Sequence, residues 1–209
     1  AYAGGRGRCG TVDVFLCPNE RVAAANRRAC PGARVEVVGT PWLDELARVE
    51  RRGDTDVAVS FHWDLPLCPE TRCTIDDWWP AVVALAGARP LLGHGHPRAV
   101  RVLDRFRDAG LPVAERFEEV VGRARVFVAD NTSCLFYAAA LGLGVVVLDS
   151  PGYRRGVELG LRFWEHADVG VRVDRGADLA EAVRVAMAGP TVRAAGIVEE
   201  LFPWRGCAG

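Results

Sequence analysis

Arg125-Val-Phe-Val-Ala-Asp130-Asn-Thr-Ser133-Cys-Leu-Phe-Tyr-Ala-Ala-Ala-Leu-Gly142-Leu-Gly-Val-Val-Val-Leu148-Asp149-Ser-Pro-Gly-Tyr153-Arg154 is the stretch whose reading decides the fold. Val126 to Ala129 is a short apolar run bounded by polar residues, the pattern of a buried strand. Asp130, Asn131, Thr132 and Ser133 follow, all good residues for starting a helix. A small-residue helix is expected from Cys134 to Leu141, stopped by Gly142. Val145 to Leu148 reads as the next buried strand. A strand–turn–helix–strand unit puts its turn at the carboxyl edge of a parallel sheet, where α/β proteins bind ligands. Backbone N–H groups at the helix start, with the Thr132 and Ser133 hydroxyls beside them, suit a phosphate or diphosphate.

Working outward, the same alternation recurs. Val57 to Phe61 reads as a strand, Thr74 to Leu85 as a helix with Thr74 at its N-cap, and Arg89 to Leu92 as a strand. Arg98 to Ala109 reads as a helix, Val113–Ala114 as a short strand and Phe117 to Gly122 as a helical turn. Beyond the central stretch come Arg154 to Trp164 as a short helix or ordered loop, a strand at Val169 to Val173, and helices at Gly176 to Met187 and Thr191 to Phe202. Before it, Val12 to Leu16 and Arg34 to Val38 read as strands, Glu20 to Arg28 and Leu43 to Arg51 as helices. The order predicts an α/β fold: a Rossmann-like parallel sheet with helices on both faces. Arg51-Arg-Gly-Asp54 is a polar spacer after which the α/β alternation becomes regular, so 1–53 is set apart from 54–209, the expected Rossmann-like domain. The first strand arrives without a preceding core, so the chain is expected to begin in the middle of a longer protein.

Composition narrows the function. The 209 residues carry a formal net charge of −1, which excludes the electrostatic footprint of a nucleic-acid binder. Every basic residue is arginine, so no lysine nucleophile or Schiff base is available. Seven cysteines are scattered without a CxxC pair, which supports neither a zinc knuckle nor a redox motif and predicts free thiols in a reducing, cytoplasmic setting. No apolar run is long enough for a membrane span, and attachment to a membrane surface would have to come through parts outside this sequence. GxSxG, Walker A and GxGxxG are all absent, which argues against a serine hydrolase, a P-loop NTPase and a dinucleotide dehydrogenase.

Polar clusters fall at the expected strand ends: Ser60-Phe-His62-Trp-Asp64, Gly93-His94-Gly-His96-Pro97-Arg98, Asp130 to Ser133, and Asp149 to Arg154. A parallel sheet gathers them on one edge, with three of the four histidines. His94 and His96 would face one side of an extended segment, yet no third metal ligand is evident. His96, before Pro97, is placed either to touch phosphate or donate a proton, or to cap the next helix. Gly93 and Gly95 would let a ligand approach the backbone. Asp130 is read equally as a ribose or sugar-hydroxyl acceptor and as a loop cap. Thr132 and Ser133 are read as phosphate ligands or caps; Tyr153 and Arg154 as a flap over a ligand or as surface. Trp78 and Trp79 read as core.

These residues resemble a family. Phe15-Leu-Cys-Pro18 with Val38-Gly-Thr-Pro41-Trp-Leu-Asp44 looks like the inter-domain crossing of GT-B glycosyltransferases, and Val57-Ala-Val-Ser-Phe61-His-Trp63 resembles the first strand and loop of their C-terminal domain. Leu92-Gly-His-Gly-His96-Pro97 is similar to the strand ending in His-Pro of CDP-glycerol glycerophosphotransferases, the teichoic-acid-type polymerases. Asp130-Asn-Thr-Ser133 is similar to their "D-x-S-S" loop, and Asp149-Ser-Pro-Gly-Tyr153-Arg154 to their "D-x-x-x-Y" segment; UDP-GlcNAc 2-epimerases are more distant relatives. The resemblance implies the nucleotide-donor half of a GT-B transferase. His96 and Ser133 would face the diphosphate and stabilise charge on the leaving nucleotide. Ser60, His62, His94, Asp130, Asn131, Thr132, Tyr153 and Arg154 would line the nucleotide site. It implies no metal and no cofactor besides the nucleotide-activated donor substrate, and an acceptor supplied by another domain. A non-catalytic nucleotide-binding or scaffold domain is the alternative.

Overall fold

The computed structural model describes residues 12–63, 72–150 and 162–203. In chain order the elements are β1 (Val14–Cys17), α1 (Glu20–Ala29), β2 (Arg34–Val37), α2 (Pro41–Ala47), β3 (Thr55–Phe61), α3 (Ile75–Ala88), β4 (Leu91–Gly95) and α4 (Val100–Asp108). Then follow β5 (Val113–Ala114), α5 (Phe117–Arg123), β6 (Ala124–Ala129), α6 (Cys134–Ala140), β7 (Gly144–Leu148), β8 (Val171–Val173), α7 (Leu179–Ala186) and α8 (Val192–Leu201), with 3-10 turns at Arg162–Val169 and Gly176–Asp178.

β3 to β8 form one parallel sheet in the order β5-β4-β3-β6-β7-β8. That is the doubly wound order, in which the chain starts at the middle, fills one side, then returns to fill the other. Between β3 and β6 the direction of winding reverses, the switch point at which folds of this order form a ligand-binding crevice. The alternation of side chains explains the two cores. Val57, Val59, Phe61, Val126, Val128, Val146 and Leu148 point to the face covered by α3, α4 and α7. Ala58, Leu92, Phe127, Ala129, Val145 and Val147 point to the opposite face, where Leu43 and Leu46 of α2, Phe117 and Val120 of α5, Leu135 of α6 and Ile197 of α8 pack. Helices therefore cover both faces, as the sequence pattern predicts.

β1 and β2 pair in parallel as a separate two-stranded sheet, with Val14 and Leu16 exposed. Asn19 caps α1 by accepting from Val22 N at 3.0 Å, and its Nδ2 donates to Leu201 O at 2.9 Å, tying this unit to α8. Arg21 adds a salt bridge to Glu200 at 2.9 Å.

Several local expectations need correction. β4 continues through Gly93-His94-Gly95 instead of ending at Leu92. The reason is packing: a Cβ on Gly93 would lie 2.3 Å from the Phe106 ring, and one on Gly95 would lie 3.1 Å from Val102. These glycines admit α4 against the strand, and no ligand is needed to explain them. α2 starts at Pro41 and stops at Ala47, since proline suits the first turn. Thr74 does occupy the N-cap of α3, but its hydroxyl makes no capping bond. Cys30 is disulfide-bonded, so the expectation of free thiols throughout does not hold there. No described helix is long and apolar enough to cross a membrane.

Candidate functional site

The crevice between β3 and β6 is bridged by one carboxylate. Asp130, fully buried just beyond β6, accepts from the His62 backbone N–H at 2.7 Å through Oδ1. Its Oδ2 accepts from Thr74 Oγ1 at 3.1 Å. Three loops, leaving β3, entering α3 and leaving β6, thus meet on Asp130. The residue read as a ribose acceptor or a cap of its own loop does a third thing, which is to hold the mouth of the crevice.

Parallel register sets the next pair. Ser60 of β3 lies beside His94 of β4, and Ser60 Oγ is 2.9 Å from His94 Nδ1. Both are buried, with Phe117 and Phe127 ring centroids 5.9 and 6.3 Å from the imidazole. Burial, followed by the nearby His96, pushes the His94 pKa down from 6.5 to about 4, while Glu118 pulls weakly upward. His94 and His96 were expected to face one side. They do not share an environment, because the strand ends at Gly95 and the chain turns there: Ala99 N–H donates to His96 O at 2.7 Å.

His96 stands exposed on the rim. Its Nδ1 accepts from the Arg98 backbone N–H at 3.0 Å, which leaves Nε2 carrying the proton in the neutral ring. Partial burial, then the neighbouring His62 and Arg98, hold its pKa below the usual histidine value. Trp63, which stood in the strand-end cluster without a role, stacks near both imidazoles. Its centroid is 5.5 Å from His96 and 5.9 Å from His62, with interplanar angles of 27° and 25°. The Arg98 guanidinium sits 5.4 Å over the same indole. A tryptophan directly after a strand-end histidine was the available signal.

The loop after β6 is less open than its sequence suggests. Thr132 N–H donates to Asp130 O at 3.2 Å, and Thr132 Oγ1 accepts from Cys134 N–H at 3.3 Å, so this hydroxyl caps the helix. Asn131 is buried, while Ser133 is exposed at the start of α6 and makes no capping bond. Burial pushes the Cys134 thiol up, against the bond from Thr132. Further along the edge, Asp149 is buried and accepts from Arg172 Nη2 at 2.5 Å, and Ser150 Oγ accepts from Trp78 Nε1 at 2.7 Å. Tyr153 and Arg154 lie outside the described residues. The sheet edge therefore brings Ser60, His62, His94, His96, Asp130, Asn131, Thr132 and Ser133 to one end of the molecule. Within that set, contacts join Ser60 to His94, and His62 to Asp130 and, through Trp63, to His96. A described cavity of about 400 Å³ lies elsewhere, lined by His166, Arg193, Gly196, Ile197 and Glu200. No group of three or more potential metal ligands occurs among the described residues.

No family model and no curated protein matches this sequence. Solved structures do. The wall teichoic acid polymerase TagF matches over 93% of this chain and 55% of its own, at 12% identity and a TM-score of 0.60. A putative UDP-N-acetylglucosamine 2-epimerase from Listeria monocytogenes matches over 94% and 56%, at 12% identity and a TM-score of 0.55. The UDP-GlcNAc 2-epimerase of Methanocaldococcus jannaschii, in complex with UDP-GlcNAc and UDP, matches over 87% and 55%, at 13% identity and a TM-score of 0.52. The chain spans about half the length of these structures. At 12–13% identity the likeness is one of fold: a parallel sheet with helices on both faces, as the sequence resemblance implied.

Proposed function

We propose that this domain binds the nucleotide-diphosphate donor of a GT-B-type glycosyl- or polyol-phosphate transferase. The observation that carries the reading is the switch-point crevice with imidazoles on its rim. His62 at the end of β3 and His96 just beyond β4 meet around Trp63, with Arg98 beside them, and the one carboxylate in contact among the described residues, Asp130, is fully buried and held by the His62 N–H and the Thr74 hydroxyl. Ligands bind outside the carboxyl ends of strands at such a point, and this rim suits an anion. In this reading the exposed His96 ring donates Nε2–H to a diphosphate oxygen, and the exposed Ser133 hydroxyl lies on the same edge. Asp130, Thr132 and Asn131 shape the loop; Tyr153 and Arg154 complete the site in this reading. A donor held this way would be positioned for attack, and charge on the departing nucleotide would be stabilised by fixed donors. The acceptor half and the division at 1–53 and 54–209 belong to the same proposal. So does a cytoplasmic setting, against which the Cys30 disulfide stands.

Calorimetry with CDP, UDP and GDP tests it. Binding of at least one is expected, weakened in His96→Ala and Ser133→Ala; a folded protein that binds none of them sinks the reading. Donor hydrolysis separates the transferase from a non-catalytic nucleotide-binding domain.

A further inference from the structure

The two rim imidazoles are held in opposite tautomers. His62 Nδ1 lies 2.6 Å from the Trp63 carbonyl oxygen, which only accepts, so Nδ1 carries the proton and Nε2 presents a lone pair. His96 Nδ1 takes an N–H from Arg98, so its Nε2 presents a proton. Backbone groups make both assignments, which ties each tautomer to the local fold. The His62 main chain is further pinned by Asp130 at 2.7 Å, and the Trp63 indole stacks within 6 Å of both rings.

We infer that His62 and His96 form an acceptor–donor pair that reads a hydroxyl next to a diphosphate. His96 Nε2–H donates to a diphosphate oxygen. His62 Nε2 accepts from a hydroxyl of the attached sugar or polyol. Neutral His62 offers a second phosphate oxygen only a lone pair, so a hydroxyl suits that form; a phosphate oxygen would need the imidazolium, which nitrogen-15 shifts distinguish. This rests on the nucleotide reading above and adds to it a preference for hydroxylated conjugates over bare nucleoside diphosphate.

Nitrogen-15 imidazole spectra of the whole chain, alone and with UDP, UDP-GlcNAc, CDP and CDP-glycerol, test the pair. The free protein should show His62 protonated at Nδ1 and His96 at Nε2. A bare diphosphate should shift His96, and its hydroxylated conjugate should shift both. His62→Ala should weaken the conjugate by about tenfold and the bare diphosphate less than about twofold, as loss of one hydrogen bond predicts. His62→Gln, which keeps an acceptor near Nε2, should recover most of that loss. Matching tautomers in the free protein, or a His62 that answers bare diphosphate as strongly as His96 does, would overturn the pair. Correct tautomers with no response to any nucleotide would instead overturn the nucleotide reading, and the ligand assignment with it.

Discussion

His94 and His96 lie two residues apart on one strand end and have little else in common. His94 sits within the sheet ladder, faces the α5 side and is bonded to its register partner Ser60. His96 lies past the last ladder residue, where the chain has already turned. Identical side chains thus divide into a structural group and a rim group, and the end of β4 draws the line. Burial alone does not mark function: the more strongly perturbed imidazole, His94, is the one whose partners are all explained by packing.

The largest expected effect on stability follows from removing the inner ring. His94→Ala opens a cavity and leaves the Ser60 hydroxyl without its bond, a loss of about 3 kcal/mol. Urea unfolding should show a lower midpoint at unchanged slope. Nucleotide affinity of the folded protein should hardly move. The double change Ser60→Ala/His94→Leu should regain part of the loss, since no polar atom is then orphaned. A cost near zero for His94→Ala would erase the distinction between the two histidines.

Acid should probe the same residue. His94 stays neutral in the fold until about pH 4, whereas an ordinary histidine takes its proton near 6.5. Between those values the unfolded chain binds more protons, so stability falls as pH falls from 6.5 toward 4. The loss from this one group approaches about 3 kcal/mol at the lower end. The corresponding part of the slope should be missing from the His94→Leu variant. A wild-type stability that stays flat over that window would mean that the ring is not enclosed as described.

Asp130→Asn comes next. The amide can keep Oδ1 on the His62 N–H and donate Nδ2–H to the Thr74 hydroxyl, which must turn to accept it, so what is lost is the charge on two bonds, at a cost of about 1 kcal/mol. Because His62 N–H and Thr74 Oγ1 meet on this carboxylate, the variant should also blur the His62 tautomer in imidazole spectra. Loss of stability with an undisturbed His62 would show that the crevice mouth does not depend on the bridge.

The architecture was legible because its signals are local. Val57-Ala-Val-Ser-Phe61 and Gly144-Val-Val-Val-Leu148 are too short and apolar for anything but buried strands, and Gly142 stops α6 with φ at +80°. The gathering of polar clusters on one edge followed from strand direction alone. What escaped were facts set by side-chain direction across elements. Nothing in Leu92-Gly-His-Gly-His96 says that Gly93 is empty because Phe106 from α4 fills its place. Nothing local tells that Thr74 would give its hydroxyl to Asp130, 56 residues away. Trp63 stood in the strand-end cluster without a role, because only its neighbours His62, His96 and Arg98 give it one.

His96→Ala should have the smallest effect on stability and decides the comparison. The ring is exposed, and the bond it accepts from Arg98 N–H can pass to water. Unfolding should therefore shift by less than about 0.5 kcal/mol. Nucleoside diphosphate affinity should fall by about tenfold, the size expected when a neutral donor to an anionic oxygen is lost. Arg98 and Ser133 would still face the anion, so binding should weaken without vanishing. His96→Gln, which can set an amide N–H where Nε2–H was, should restore part of the affinity if geometry is what matters, and His96→Phe, which keeps the stack on Trp63 without the donor, should not. If His96→Ala instead lost as much stability as His94→Ala and left affinity intact, the rim would be as structural as the interior, and the end of β4 would separate nothing.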